Sequence, residues 1–369
     1  VYKEAGTPLI VADDDLAGTF TFFNAIEDAK DINKIKAYDF GETWLNYVIE
    51  NKTIFWWGGL GRSTEHTAYL RLKDGYTAPY SGSIELNGSA IAEQIGAQIF
   101  IDAFAMMCPG DPEMARFLIE KAASVSHDGI AVESASFIGS MQANAFIIRD
   151  IEELISDSLD KNASSRLKRI IDDVRNVCQK SNDWRYVRDW LDENYGYHLY
   201  PGNCHVIPNL ALILASLILG GDSFKKSMEI VVSSGWDTDC NGANLGCING
   251  IRLGLDSINS EFDYRSPIAD RFYNISSEGG NCVTDAVIQT RRIIRQKERL
   301  YGQAVPLKDR KRFEFEYPGS VQGFVSCPYL GSDKTIITNA NTKTNENGSV
   351  LEGSKEGAYA STPVMCDPK

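Results

Sequence analysis

Two short stretches concentrate the groups most able to do chemistry. "VADDDLAGTF" places Asp13, Asp14 and Asp15 side by side, and "SSGWDTDCNGAN" places Asp237 and Asp239 one residue apart. Adjacent exposed carboxylates repel by roughly a few tenths of a kcal/mol per pair. A solvated helix N-terminus tolerates that cost, because the macrodipole favours acids there. That reading suffices for the first stretch alone. The second stretch alters the balance. Its neighbours Gly235, Thr238, Cys240, Asn241 and Gly242 are small and let the backbone turn so that both carboxylates converge. Hard divalent cations take several oxygens at once. Two acidic turns, each ahead of a helix, can build such a cage. Calcium sensing is excluded: "DTDCNG" fits the opening of an EF-hand loop, but the twelfth position, which must be a bidentate Glu, is Ile248.

The elements that must carry these turns are helical. Residues 91–107 are apolar on nearly every face and read as one buried helix. Asp111 and Pro112 open the next helix as N-cap and first helical residue. Residues 130–147 are rich in Ala, Ser and Phe and suit close helix packing. "IEELISDSLDKN" and "SSRLKRIIDDVRNVCQK" are amphipathic, "VIPNLALILASLILG" is a core helix, and Asp222 reads as the cap of "SFKKSMEIVVSS". "RRIIRQKERLYGQ" closes the helical body. From about residue 305 the texture changes to β-branched and alternating runs, "RFEFEY", "VQGFVSC" and "TIITNA". The expectation is an all-α, compact multi-helix body over 1–304 and a short β-rich segment over 305–369.

Composition narrows the function classes. The net charge is −13, so no basic nucleic-acid surface is expected. The longest apolar run, "NLALILASLILGG", is too short to span a bilayer. Eight cysteines without a CxxC pair read as free and reduced, which points to the cytoplasm. Both ends read as cut, as in a piece of a longer chain. Oligomeric state is not legible.

Three motifs in order resemble those of the ADP-ribosylglycohydrolase family. "ADDDLAGTF" resembles its first acidic motif, T-D-D-T. "SVSHDGIAVESASFIGSMQANAF" resembles its middle Ser/Thr-His motif. "SSGWDTDCNGANLG" resembles its last motif, G-x-D-T-D-x-N-A. The resemblance implies an all-α fold and two divalent ions, Mg2+ or Mn2+, held between the acidic motifs. It implies hydrolysis of the bond between ADP-ribose and a protein side chain or small acceptor. Aligning "DDDL" on the first motif makes Asp14 and Asp15 its carboxylates, with Asp13 in the place of its Thr; aligning "ADDD" makes them Asp13 and Asp14. Asp237 and Asp239 match the last motif's carboxylates, and Cys240 stands at a hydroxyl ligand's place. The implied metal set is therefore Asp13, Asp14, Asp15, Asp237, Asp239 and Cys240. Asp14 or Asp15 is the implied catalytic carboxylate.

On the substrate side, His127 matches the middle-motif histidine that lies against ribose and phosphate. On its residues alone it reads equally as a helix-end histidine satisfied by backbone. Gly129 leaves room for a ligand. Trp236 can stack on a sugar or base, or pack on the core. Asn87, Gly88 and Ser89 form a turn that can meet a phosphate, with Ser89 as a plain helix cap the competing reading. "WWGGLGRSTEHT" is Gly-rich but follows no clear strand, so it is no dinucleotide fingerprint. His66, His198 and His205 read as structural. The function expected is a metal-dependent glycoside hydrolase acting on ADP-ribosylated protein or small molecules. The competing readings are a catalytically weak ADP-ribose binder or scaffold, and a phosphoesterase on the same cage.

Overall fold

The computed structural model describes residues 12–265, 268 and 270–302, and four short strands beyond them. Those strands are β3 (Val325–Ser326), β4 (Ile336–Asn339), β5 (Ser349–Glu352) and β6 (Ala360–Ser361); β3 pairs antiparallel with β6 and β4 with β5. The body ahead of them is all-α apart from one small hairpin. No helix among the described residues is long and apolar enough to cross a membrane.

Nine helices of that body are numbered here: α1 (Asp14–Phe22), α2 (Thr64–Lys73), α3 (Pro112–Ala123), α4 (Ile130–Asn144), α5 (Ser165–Lys180), α6 (Val206–Gly220), α7 (Phe224–Ser233), α8 (Thr238–Leu253) and α9 (Ala286–Tyr301). Helix α6 is the axis. It is apolar all round, so it has no face to give to water. Leu210, Leu212, Ile213, Leu214 and Leu217 are all buried, each contributing about 1.5–3 kcal/mol. Helices α4, α5, α7 and α8 pack around it. At one end of that shell Arg252 is buried and donates to Asp222 Oδ1 at 2.6 Å and to the Gly221 carbonyl at 2.6 Å, tying α8 to the turn between α6 and α7. Asp222 is thus engaged by Arg252, and Ser223 caps α7 instead, its side chain accepting from Lys226 N.

Helix α1 is held by aromatic packing. Phe22 stacks on Trp44 with ring centres 4.2 Å apart and meets Phe100 edge-on at 5.3 Å. Gly18 has no room for a side chain against the Phe100 ring. Thr19 Oγ1 donates to the Ile99 carbonyl. The chain just ahead of α1 pairs, through Ala12, with Tyr273 of the hairpin β1 (Arg271–Tyr273) and β2 (Val283–Asp285). The start of α1 is therefore fixed from two sides.

The single helix expected over residues 91–107 is broken into Ser89–Ala92, Gly96–Ile99 and Asp102–Met106. The apolar residues are buried as their pattern implied. A long-range pairing interrupts the helix: Gln94 bridges to His205, and Ile95 N–H donates to the Cys204 carbonyl at 3.0 Å. That detour brings residues 94–99 beside the acidic turns.

Candidate metal centre

Both acidic motifs lie at the start of a helix. Asp13 caps α1, its Oδ1 accepting from Leu16 N at 3.0 Å, and Asp14 and Asp15 occupy the first turn. Asp237 is the N-terminal boundary residue of α8, and Asp239 lies in its first turn. Two successive left-handed residues, Gly235 at φ 77° and Trp236 at φ 60°, turn the chain into this helix. A tryptophan there costs on the order of 1 kcal/mol, so the surroundings must hold it. They do: its ring stacks on Tyr197 at 5.5 Å, and the Arg188 guanidinium lies 3.9 Å from its centre. From α6, buried Asn209 latches the turn. Its Oδ1 accepts from Asn241 Nδ2 at 2.9 Å and from Asp237 N at 3.4 Å.

The two motifs meet. Cys240 Sγ lies 3.6 Å from Asp15 Oδ1. Ligand atoms of Asp237, Asp239 and Cys240 all fall within 4.8 Å of one another. Asp14, Asp15, Asp237, Asp239 and Cys240 share one cavity of about 230 Å³, which Glu65, Trp56, Gln94, Gly96, Asn203 and Cys204 complete. Glu65 comes from the first turn of α2, which Ser63 caps. A side chain at Gly96 would collide with the Glu65 carboxylate and come within 2.9 Å of His127 Cε1. Glycine is required there to let the backbone pass between those two groups.

The electrostatics of this cavity are those of a cage for a cation. Burial, then the charges of Asp13, Asp14 and Asp239, push the Asp15 carboxyl up to about 9. Burial is also the main cause at Glu65, which is pushed up to about 7, with Asp14 and Asp237 adding to it. Asp14 and Asp237 are raised as well, chiefly by burial. Among the described residues lining the cavity there is no lysine, arginine or histidine to offset these charges. So many carboxylates, nearly all oxygen donors, without a basic partner match the ligand chemistry of a hard divalent ion.

The remaining residues singled out by sequence lie elsewhere. His127 is buried behind Gly96 and does not line the cavity. Its Nε2 accepts from Ala97 N at 3.1 Å, Ser126 Oγ lies 2.7 Å from Nδ1, and burial pushes its pKa down to about 3. With Nε2 accepting from a backbone N–H, the ring is neutral. Gly129 faces a separate groove of about 510 Å³ beside α3 and α4. Asn87 Oδ1 accepts from Arg71 Nε at 3.1 Å and its Nδ2 donates to the Ser81 carbonyl. Gly88, at φ 78°, bounds the four-residue helix that Ser89 begins. None of these three lines the acidic cavity. Conversely, Glu65, Gln94, Gly96, Asn203 and Cys204 escaped the sequence reading. Glu65 looks like an ordinary acid in a capped first turn, and only the fold shows that it is buried.

A sequence model described as ADP-ribosylglycohydrolase matches residues 10–289, and no curated protein matches the chain. Among solved structures, one titled "ADP-ribosylglycohydrolase-related protein complex" is similar at TM-score 0.49 and 16% identity, over 79% of this chain and 82% of that one. The family match spans both acidic motifs and the helical body between them, so the chain belongs to the ADP-ribosylglycohydrolase family.

Proposed function

We propose that the protein is a divalent-cation-dependent hydrolase that releases ADP-ribose, or a related nucleoside-type glycoside, from a protein side chain or small acceptor. The observation that carries this reading is the meeting of Asp15 and Cys240 in one acidic cavity. A diphosphate-bearing substrate is anionic. It cannot approach five carboxylates with no basic residue beside them unless cations intervene. Asp14, Asp15, Asp237 and Asp239 would hold Mg2+ or Mn2+, in two positions. When bound, such an ion orients hydroxyls and lowers the pKa of water.

The chain's own groups supply the rest. Cleavage at a sugar C1 passes through an oxocarbenium-like state, which a nearby carboxylate stabilises. Asp14 and Asp15, fixed on the rigid first turn of α1, are placed for this. Glu65, buried and raised toward neutrality, can take the proton of the attacking water on its carboxylate. The cavity, at about 230 Å³, is below the roughly 300–1,000 Å³ of pockets that enclose a whole ligand. The ribose end fits inside it, and the remainder extends over the rim. Trp56 lies there, 39% exposed, as a stacking surface.

A release assay with ADP-ribosyl-arginine, ADP-ribosyl-serine and nucleoside substrates, with and without Mn2+, tests the reading. Metal-dependent release of ADP-ribose or a nucleobase supports it. Tight ADP-ribose binding without turnover favours a binding protein on the same site.

A further inference from the structure

The groove that Gly129 faces lies apart from the acidic cavity, and the two share no lining residue. Helix α3, the first half of α4, the segment 158–163 and Leu167 of α5 enclose about 510 Å³. That volume is within the roughly 300–1,000 Å³ of small-ligand sites. Val132, Phe137 and Leu167 give it apolar walls. Four carboxylates line it, those of Glu120, Asp128, Glu133 and Asp160, against one cation, Arg116. The protein's own contacts use only part of this set. The Arg116 guanidinium, with its side chain 11% exposed, lies 2.9 Å from both Asp160 and Glu113, so it is committed to them and not to an anion. Asp128 is committed to backbone: Oδ2 accepts from Ile84 N at 3.0 Å and Oδ1 from Gly129 N at 2.7 Å. Glu133 accepts from Ser164 Oγ through Oε2 at 2.6 Å, which leaves its Oε1 for a ligand. Glu120 stands exposed on α3.

A second, independent observation points to a ligand. Glu133, Ser136 and Phe137 fall at i, i+3 and i+4, so they share one face of α4. Ser136 lines the groove and is 6% exposed, yet its hydroxyl has no hydrogen-bond partner among the described residues. Buried hydroxyls are ordinarily satisfied. We infer that the groove binds an organic cation, an ammonium or guanidinium group on a short apolar stem. The stem packs on Val132, Phe137 and Leu167, and the cationic head lies among Glu120, Glu133 Oε1 and Ser136 Oγ. All three can accept, and such a head only donates, so the two match in hydrogen bonding as well as in charge. An inorganic ion would leave the apolar walls without a partner. The same chemistry is carried by a free polyamine and by a lysine or arginine side chain displayed on a protein.

The test titrates the full chain with 1,5-diaminopentane and butylguanidine in a calorimeter, with 1-pentanol and hexanoate as neutral and anionic counterparts. The two cations should bind at millimolar concentration or below, and the counterparts should not. The E120Q/E133Q double variant should weaken the cations by about tenfold or more. Ser136→Ala should weaken them by about threefold or more. Asp237→Asn, in the acidic cavity, should change their affinity by less than about twofold, since the two sites share no residue. In the wild-type chain the diamine should shift the amide resonances of Gly129 and Ser136 and leave those of Glu65 and Thr238 in place, a measurement that needs no variant. A short peptide with one lysine that binds at least as tightly as the diamine assigns the groove to a protein side chain. One that binds more weakly assigns it to a free cation. If pentanol or hexanoate binds as well as the cations, or if E120Q/E133Q leaves the diamine affinity unchanged, the inference falls. The metal reading of the acidic cavity stands or falls separately.

Discussion

The Cys240 thiol points at the Asp15 carboxylate across 3.6 Å, although the two residues are 225 positions apart in the chain. That contact brings the two acidic motifs onto one cavity.

A divalent ion should stabilise the fold. Free ligand at a hundred times its Kd adds about 2.7 kcal/mol. For a chain of this size that raises Tm by about 3–4 °C. Mn2+ or Mg2+ should produce that rise in differential scanning fluorimetry, and Asp237→Asn should remove it. An unchanged Tm at millimolar ion in the wild-type chain would refute the cage.

Without an ion, the cage should oppose folding as pH rises. Asp15 ordinarily titrates near 3.8 and is raised to about 9; Glu65 moves from 4.5 to about 7. Between those limits the folded state keeps protons that the unfolded chain has lost, so stability falls with increasing pH. Chelator-treated protein should lose Tm steadily from about pH 5 to pH 9. Saturating Mn2+ should flatten that slope. In the same metal-free protein at pH 8, Asp15→Asn should raise Tm by about 2–4 °C, since the folded chain no longer has to hold a proton that the unfolded carboxyl has lost.

His127 should behave as a framework residue. Replacing it with Ala leaves the Ala97 N–H without an acceptor and opens a small void, a loss of about 2–4 kcal/mol in urea unfolding. Its neutral form is also acid-sensitive. The unfolded ring gains a proton near 6.5, the folded ring only near 3, so His127 costs stability as pH falls through that window. His127→Gln should weaken that acid dependence. A loss of ADP-ribose affinity with stability unchanged would instead put the ring on the ligand.

Gly96→Ala should act on the cation through Glu65. The added methyl meets the Glu65 carboxylate, and one of the two must move. The expected cost is about 1–3 kcal/mol of stability. Displacing a supporting carboxylate should also weaken ion affinity by about tenfold or more. Isothermal titration with Mn2+ measures the second effect directly.

The sequence exposed the parts of this protein that depend on local pattern. The apolar periodicity of α6, the Asp111–Pro112 helix start and the two acidic turns are local, and each is found where its pattern places it. What stayed hidden depends on contacts between distant segments. The bridge from Gln94 to His205 breaks a run that locally favours helix. Glu65 and Cys204 enter the cavity through that bridge and the Ser63 cap, and neither residue looks unusual among its neighbours. Asp222 likewise reads as a cap until the Arg252 guanidinium, from a helix 30 residues on, claims it.

The two acidic turns sit on the first turns of α1 and α8, so each cluster faces the electropositive end of a helix. Each end carries the equivalent of about half a positive charge. This permanent backbone field tempers the repulsion whether or not a cation is present. A shell built beforehand in this way would let an ion enter and leave without the two helices having to rearrange around it.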